Sequence, residues 1–311
     1  MIKHLPAHQI DHDKWDNCIN KSYNGIVYAQ SWYLNIVHPD WEALVEDDYI
    51  RVMPLTVSKK FGINYFMQPF FVQQMGVFTQ TNLFPEKTEE FINTIPKKIK
   101  YIDTNLNSYN KITTTKYSIE NQNYMLDLIE EYTKIRTNYS SNNIRNLKKA
   151  NKHKLSIIKS VKPNEIINLF TNNKGKDITK WTENNYKTLE RLMYMAIHKG
   201  MGVVYGVYTE NNQLCAASFF LRYNKRLIFL FSGSDQTAKE NGAMSFLIDS
   251  VIKEYSSSQI TLDFEGSNDK NIARFYKGFG AKKVTYNQIK INRILFPFNI
   301  LLNYYLKKKE S

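Results

Sequence analysis

The residue types able to do chemistry gather in one stretch, from Ser232 to Lys282. Within it, QITLDFEGS reads as a strand. Alternation puts Ile260, Leu262 and Phe264 on one face and Asp263 with Glu265 on the other. Two carboxylates on the polar face near a strand's C-terminal end suit general-base work in the crevice of an α/β sheet. A salt bridge or plain solvation is the competing use for either one. Upstream, the strand LIFLFSGS gives way to a polar loop, and Asn241-Gly242-Ala243 opens the next helix. Backbone N–H groups at a helix start bind anions, and small residues let a pyrophosphate approach. By itself a Gly-Ala pair at a helix start specifies no ligand. Downstream, Asn268 precedes NIARFYKGFGAKK, where Ile272, Phe275 and Tyr276 share a helical face and Gly278 to Gly280 stop the helix.

Other chemistries find little support. The six histidines show no metal-ligand spacing; His4, His8 and His12 would share a helical face, but Pro6 disfavours a helix there. Cys18 and Cys215 stand alone, so neither a disulfide framework nor a structural zinc site is expected. P-loop, GxSxG and dinucleotide fingerprints are missing. We expect no metal cofactor.

The elements that must position these residues follow an α/β order. In the first half, helices over residues 11 to 37 lead into the strands Trp41–Val45 and Tyr49–Val57, and then into NYFMQPFF, which VQQMGVF extends. A helix opening at Pro85 is stopped by Pro96, and KYIDTNL follows as a strand. The second half repeats the order: the helix NYKTLERLMYMAIHKG, the strands GVVYGVYT, LCAASFFLRY and LIFLFSGS, the helix GAMSFLIDSVIKEY, then QITLDFEGS. We read this as an internal duplication of two mixed-sheet domains, 1–140 and 141–311.

Between them lies NYSSNNIRNLKKANKHKLSI. Ser141 or Asn142 would cap a helix carrying Arg145, Lys148, Lys149 and Lys152, spaced so that pairs share a face. The whole chain carries 42 Lys+Arg against 29 Asp+Glu, a net +13. That field favours polyanions: nucleic acid, anionic lipid or phosphorylated cofactors. The tail RILFPFNILLNYYLKKKES is apolar and ends in lysines, which suits either a helix packed on the second domain or a peripheral contact with an anionic membrane. The start of the sequence has no apolar signal region and no run is long enough to span a bilayer, so the expectation is a cytoplasmic protein.

The segment N-x4-A-R-F-Y-x-x-F-G-A-K, running from Asn268 to Lys282, resembles the last conserved segment of the GNAT (Gcn5-related N-acetyltransferase) superfamily. The layout, the phrase LDFEGSNDKNIARFYKGFG and the R-x-L-K-K-A helix before the second domain resemble its FemABX-like branch, bacterial acyltransferases with two GNAT-like domains in tandem. The resemblance covers roughly 145–295 and rests in the first half on element order alone.

The resemblance implies a fold of two α/β domains with central mixed sheets flanked by helices. It implies acyl transfer by direct attack of an amine on the donor carbonyl, with a backbone N–H between splayed strands stabilising the oxyanion. Tyr276 matches the tyrosine that protonates the leaving group, and Asn268 the position contacting a pantetheine arm or nearby backbone. Glu265 or Asp263 is the candidate base. Ser232, Gly233, Lys239, Asn241, Gly242, Ala243 and Asn268 are the candidate donor-binding residues. The phosphate loop departs from the family's Q/R-x-x-G-x-G/A, keeping Gly242 and a cation at Lys239 but placing Met244 where a small residue belongs. The leading expectation is transfer from acyl-CoA or an acyl carrier to the amine of a small or cell-envelope-related acceptor. The alternatives are a FemABX-like aminoacyl-tRNA-dependent transferase, with tRNA on the basic helix 142–154 and a peptidoglycan precursor as acceptor, and a non-catalytic anion-binding protein. The first half is expected to shape an acceptor cleft.

Overall fold

The computed structural model describes residues 1–295 except 115, 179, 180 and 267. Most of the apolar tail considered above, from Phe296 onward, therefore lies outside the described residues. The chain divides into two compact units, Met1–Asn121 with Thr285–Ser311, and Gln122–Val284.

The first unit begins with β1 (Ile2–Leu5), α1 (His12–Lys21) and α2 (Ser31–Val37), followed by β2 (Glu42–Glu46), β3 (Arg51–Leu55), β4 (Val57–Lys60), β5 (Ile63–Met67) and β6 (Phe78–Thr79). Next come α3 (Pro85–Thr94) and β7 (Ile99–Asn105). Asp11 caps α1 by accepting from the amides of Asp13 and Lys14, and Pro85 starts α3 at the position where a missing N–H is harmless. The strand expected over residues 49 to 57 is broken at Thr56, whose hydroxyl donates to the Met67 carbonyl. β3 joins β1, β2 and β6 in one sheet, and β4 pairs with β5. β5 runs parallel to β7, with α3 crossing between them. Trp15, its ring 4.6 Å from that of Trp41, anchors the core and donates its indole N–H to the Ala29 carbonyl at 2.7 Å.

In the second unit, β8 (Ser118–Asp127) leads through α4 (Tyr132–Arg136) to α5 (Ser141–Lys152) and β9 (Ser156–Ile158). Then come α6 (Pro163–Thr171), α7 (Glu183–His198), β10 (Gly202–Tyr208), β11 (Leu214–Tyr223) and β12 (Arg226–Ser234). The unit continues with α8 (Gln236–Asn241), α9 (Ala243–Tyr255), β13 (Thr261–Asp263) and α10 (Lys270–Lys277), and β14 (Lys282–Asn292) carries the chain back to the first unit, where it pairs with β7. The order of strands is β8-β13-β12-β11-β10-β9, antiparallel except for the parallel pair β12–β13. The buried face of α9 (Leu247, Ile248, Val251, Ile252) packs on Tyr205, Phe220 and Leu262, because strand and helix periods both place their apolar residues inward. Both units are therefore mixed sheets flanked by helices, each with a helical connection bridging a parallel strand pair: α3 between β5 and β7, and α8 with α9 between β12 and β13. No helix among the described residues is long and apolar enough to cross a membrane.

Candidate active site

The parallel pair of the second unit opens. β12 and β13 are in register only over Arg226–Ile228 and Thr261–Asp263. β12 then runs on from Phe229 to Ser234, whereas the other chain turns away: the Phe264 amide donates to the Tyr124 carbonyl, and Glu265 sits in the left-handed region at φ 55°. Among the described residues no backbone hydrogen bond rejoins the two segments. At the mouth of the opening β12 carries a bulge. Phe231 pairs with Phe219 and Phe229 with Phe220, leaving Leu230 as the extra residue. A bulge bends a strand and re-aims its groups.

Tyr276, half-buried on α10, stands at this opening. Its ring stacks on Phe264 at 4.6 Å and 22°, and meets Phe229 edge-on at 6.3 Å. Thus one ring holds it from each of the diverging segments. Its hydroxyl makes no hydrogen bond among the described residues. Burial raises its pKa well above the ordinary tyrosine range, and the nearby charge of Glu265 adds to the shift. The phenol therefore keeps its proton.

The two carboxylates of the expected polar face have parted company. β13 ends at Asp263, so alternation does not carry on to Glu265. Asp263 is 3% exposed and tied down on all sides. Its Oδ1 accepts from the Asn123 side chain and from the Glu265 amide, each at 3.0 Å, and its Oδ2 lies 3.3 Å from Arg226 Nη1. Burial pushes its pKa up while Arg226 and these donors oppose the rise. Asp263 holds the turn that separates the strands, with both of its oxygens engaged by Asn123, the Glu265 amide and Arg226. Glu265 is the half-exposed member beside Tyr276. Asn268, exposed ahead of α10, accepts from the Gln122 amide at 3.2 Å, and Asp269 caps the helix.

The helix start read as an anion cradle is closed. Asn241, Gly242 and Ala243 are all buried. The Asn241 side chain accepts from the Ala243 amide at 3.0 Å. Gly242 has φ 79° and faces the backbone of α5: a Cβ there would stand 2.4 Å from the Asn146 carbonyl oxygen. Both facts account for the glycine without a ligand. Gly233 is similarly explained, since a Cβ would lie 2.7 Å from the Ile166 carbonyl oxygen of α6. Ser232 is half-buried on the free half of β12, and Lys239 is exposed on α8. The structure thus groups Tyr276, Glu265 and Asn268 with the strand opening and leaves Asn241–Ala243 in the interior.

α5 packs Asn143, Leu147 and Ala150 inward, with Ser140 as its cap. Arg145, Lys148, Lys149 and Lys152 are all exposed, and among the described residues no carboxylate pairs with them. Sequence reasoning missed the partners supplied by β8, namely Gln122, Asn123 and Tyr124, although the apolar alternation Tyr124, Leu126, Leu128 marks a strand there.

The first unit offers an internal control. Its parallel pair, β5 and β7, would open at the same point, but residues 68 to 77 fill the gap. Gln68 accepts from the Thr104 hydroxyl at 2.9 Å and the Asn105 amide at 3.0 Å, and Met75 exchanges backbone bonds with Asn105 and Asn107. The segment VQQMGVF, expected to extend the sheet, forms this seam and contributes only the short β6 at its end.

No protein-family model and no curated protein matches the sequence. Solved structures do match in three dimensions. FemX superposes with a TM-score of 0.63 at 11% identity, covering 96% of this chain and 99% of its own. The C-terminal domain of a putative lysylphosphatidylglycerol synthetase from Agrobacterium fabrum gives 0.56 at 9% identity, over 90% and 91%. A tandem GNAT protein from the clavulanic acid biosynthesis pathway gives 0.52 at 8%, over 93% and 98%. The fold is GNAT-like, of the FemABX-like tandem type. Its GNAT-like second unit has the open strand pair, and its first unit has the same pair sealed. Among the described residues no cluster of three or more His, Cys, Asp or Glu is disposed to hold a metal.

Proposed function

We propose that this chain transfers an aminoacyl group from the ester of an aminoacyl-tRNA to an amine of an acceptor, at the opening between β12 and β13. One observation carries the choice of donor: the start of α9, which would cradle a coenzyme A pyrophosphate, is closed, with Gly242 against the backbone of α5 and the Ala243 amide taken by the Asn241 side chain. A donor whose phosphates bind elsewhere is favoured, and the exposed cations Arg145, Lys148, Lys149 and Lys152 lie on the covering helix itself.

In this reading the acceptor amine attacks the carbonyl carbon of the ester, the C–N bond forms, and the negative charge collects on the carbonyl oxygen. The backbone at the Leu230 bulge is the candidate donor for that oxyanion. The C–O bond to the carrier then breaks. An alkoxide leaving group is a far stronger base than a thiolate, and a phenol with a raised pKa suits it better. Tyr276 is accordingly assigned the role of acid and Glu265, directly or through water, that of the base accepting the amine proton. Asp263 shapes the turn. The small-molecule or cell-envelope character of the acceptor is an expectation from the resemblance.

Transfer assays with labelled aminoacyl-tRNA and, in parallel, acetyl-CoA and a longer acyl-CoA test the reading. Transfer from aminoacyl-tRNA, weakened by Lys148→Gln, Lys149→Gln and Lys152→Gln and less salt-dependent in that variant, is the expected result. Turnover with acyl-CoA alone overturns the choice of donor, and binding of tRNA with no transfer from any donor would return the protein to a non-catalytic role.

A further inference from the structure

One end of the first unit's sheet is a basic surface with an apolar point. β5 and β7 are parallel with Asn64 opposite Ile99, so the β4–β5 hairpin tip and the loop before β7 lie at the same end. The tip reads Lys59-Lys60-Phe61-Gly62, the loop Lys97-Lys98, and Lys100 follows in β7. Lys59, Lys97, Lys98 and Lys100 are exposed, and among the described residues none has a carboxylate partner. Of the carboxylates of α3, Glu86 and Glu89 sit in its first half and Glu90 just past its middle, and two are engaged: Glu90 with Lys87 and Glu89 with Thr113 and Thr114.

Phe61 is 91% exposed in the left-handed conformation at φ 50°, with Lys60 Nζ 5.5 Å from its ring centre. A single exposed apolar residue is ordinary; a fully displayed aromatic on a turn ringed by lysines is not. The chain also leaves by this end. Asn292 pairs with Tyr101, the Arg293 amide donates to the Lys100 carbonyl, and the Arg293 guanidinium reaches the carbonyls of Ile95, Pro96 and Ile99. Leu295, 82% exposed, then opens the sequence FPFNILLNYYLKKK.

We propose that this end of the first unit docks on an anionic lipid surface, with Phe61 entering the headgroup region and Lys59, Lys97, Lys98 and Lys100 facing the lipid phosphates and carboxylates. Cations and an apolar point together recognise a charged interface with an apolar layer beneath it. A single-stranded nucleic acid would use the lysines and stack a base on the ring as well; the aliphatic Leu295, 82% exposed at the same end and able to stack on no base, favours the lipid surface. The inference stands apart from the transferase reading.

Cosedimentation of the full chain with phosphatidylserine-containing and pure phosphatidylcholine vesicles tests it. Binding is expected only to the anionic vesicles, with a loss of about fivefold in partitioning for each lysine removed in the Lys97→Gln, Lys98→Gln, Lys100→Gln series. Phe61→Ser is expected to weaken binding further. All four positions are exposed, so these variants should keep the wild-type melting temperature. Failure to bind phosphatidylserine vesicles overturns the proposal. So does binding that these variants leave intact while Lys307→Gln, Lys308→Gln and Lys309→Gln abolish it, or a loss of RNA retention in the lysine variants without a loss on vesicles.

Discussion

Phe229 and Phe231 are two residues apart on one strand, yet they face opposite sides of the sheet. The bulge at Leu230 sets them opposite the adjacent residues Phe220 and Phe219. Phe229 therefore packs with Phe264 and Tyr276, while Phe231 packs with Phe170 and Trp181 beside α6 and α7. The consequence is specific. Alanine at either position should cost about 3 kcal/mol in denaturant unfolding, as for a buried phenylalanine. Only Phe229→Ala should alter the titration of Tyr276, followed by ring-carbon NMR; equal shifts in both variants would contradict this arrangement.

Tyr276→Phe removes a hydroxyl with no hydrogen bond among the described residues, so the fold should be unaffected. If Tyr276 is the acid, the transfer rate falls about a hundredfold. Calorimetric melting beside single-turnover kinetics separates the two effects, and a variant that is both stable and fully active removes Tyr276 from the mechanism.

Glu265 raises the Tyr276 pKa because its negative charge opposes formation of a phenolate. Neutralising it in Glu265→Gln should bring the pKa part of the way back toward the ordinary tyrosine value, with burial, the larger cause, still holding it up. Ultraviolet titration of the variant against wild type, with Tyr276→Phe to assign the signal, reads this directly.

Gly242→Ala should destabilise the protein by about 2 kcal/mol or more, since the new Cβ meets both a left-handed backbone and the Asn146 carbonyl. The loss should show in urea midpoints even when no donor is present. A neutral result would mean that α5 gives way easily, and would reopen the start of α9 as a phosphate site.

His38 gives a pH signature. Burial lowers its pKa below the ordinary 6.5, its Nε2 lies 3.0 Å from the Ser58 hydroxyl, and its buried Nδ1 has no partner among the described residues. The unfolded chain then binds a proton that the folded chain resists. Its contribution to stability is complete above the unfolded value and is lost as pH falls from there through the lowered folded value. His38→Gln should flatten the drop in melting temperature between about pH 7.5 and about pH 5.5; an unchanged drop assigns it to other groups.

Much of the fold is legible in the sequence because hydrophobic period is a local property. The helix at 183–198, the hairpin strands and the Pro85 start all follow from residues within a turn or two of one another. The site was legible where it depends on one element, as with Tyr276 on the apolar face of α10. It was illegible where a distant segment decides. Asp263 and Glu265 look alike in an alternating run, but the Tyr124 carbonyl captures the Phe264 amide and ends the strand between them. Gly242 has the local appearance of a phosphate glycine, and what requires it is a carbonyl nearly a hundred positions earlier in the chain. The seam over residues 68 to 77 hides for the same reason, since its strand-like composition is used to bind the side-chain amides of Asn105 at the end of β7 and of Asn107 and Asn110 just beyond it.

That seam also sets how each unit yields to thermal motion. In the first, Met75 and Asn107 are held in a backbone ladder reinforced by the amides of Gln68, Asn105 and Asn107, so their protons should exchange with solvent only when the unit unfolds as a whole. In the second, the free half of β12 has lost that support along one side, and fluctuations of a few residues suffice. The same architecture thus appears once as a rigid frame and once as a compliant jaw.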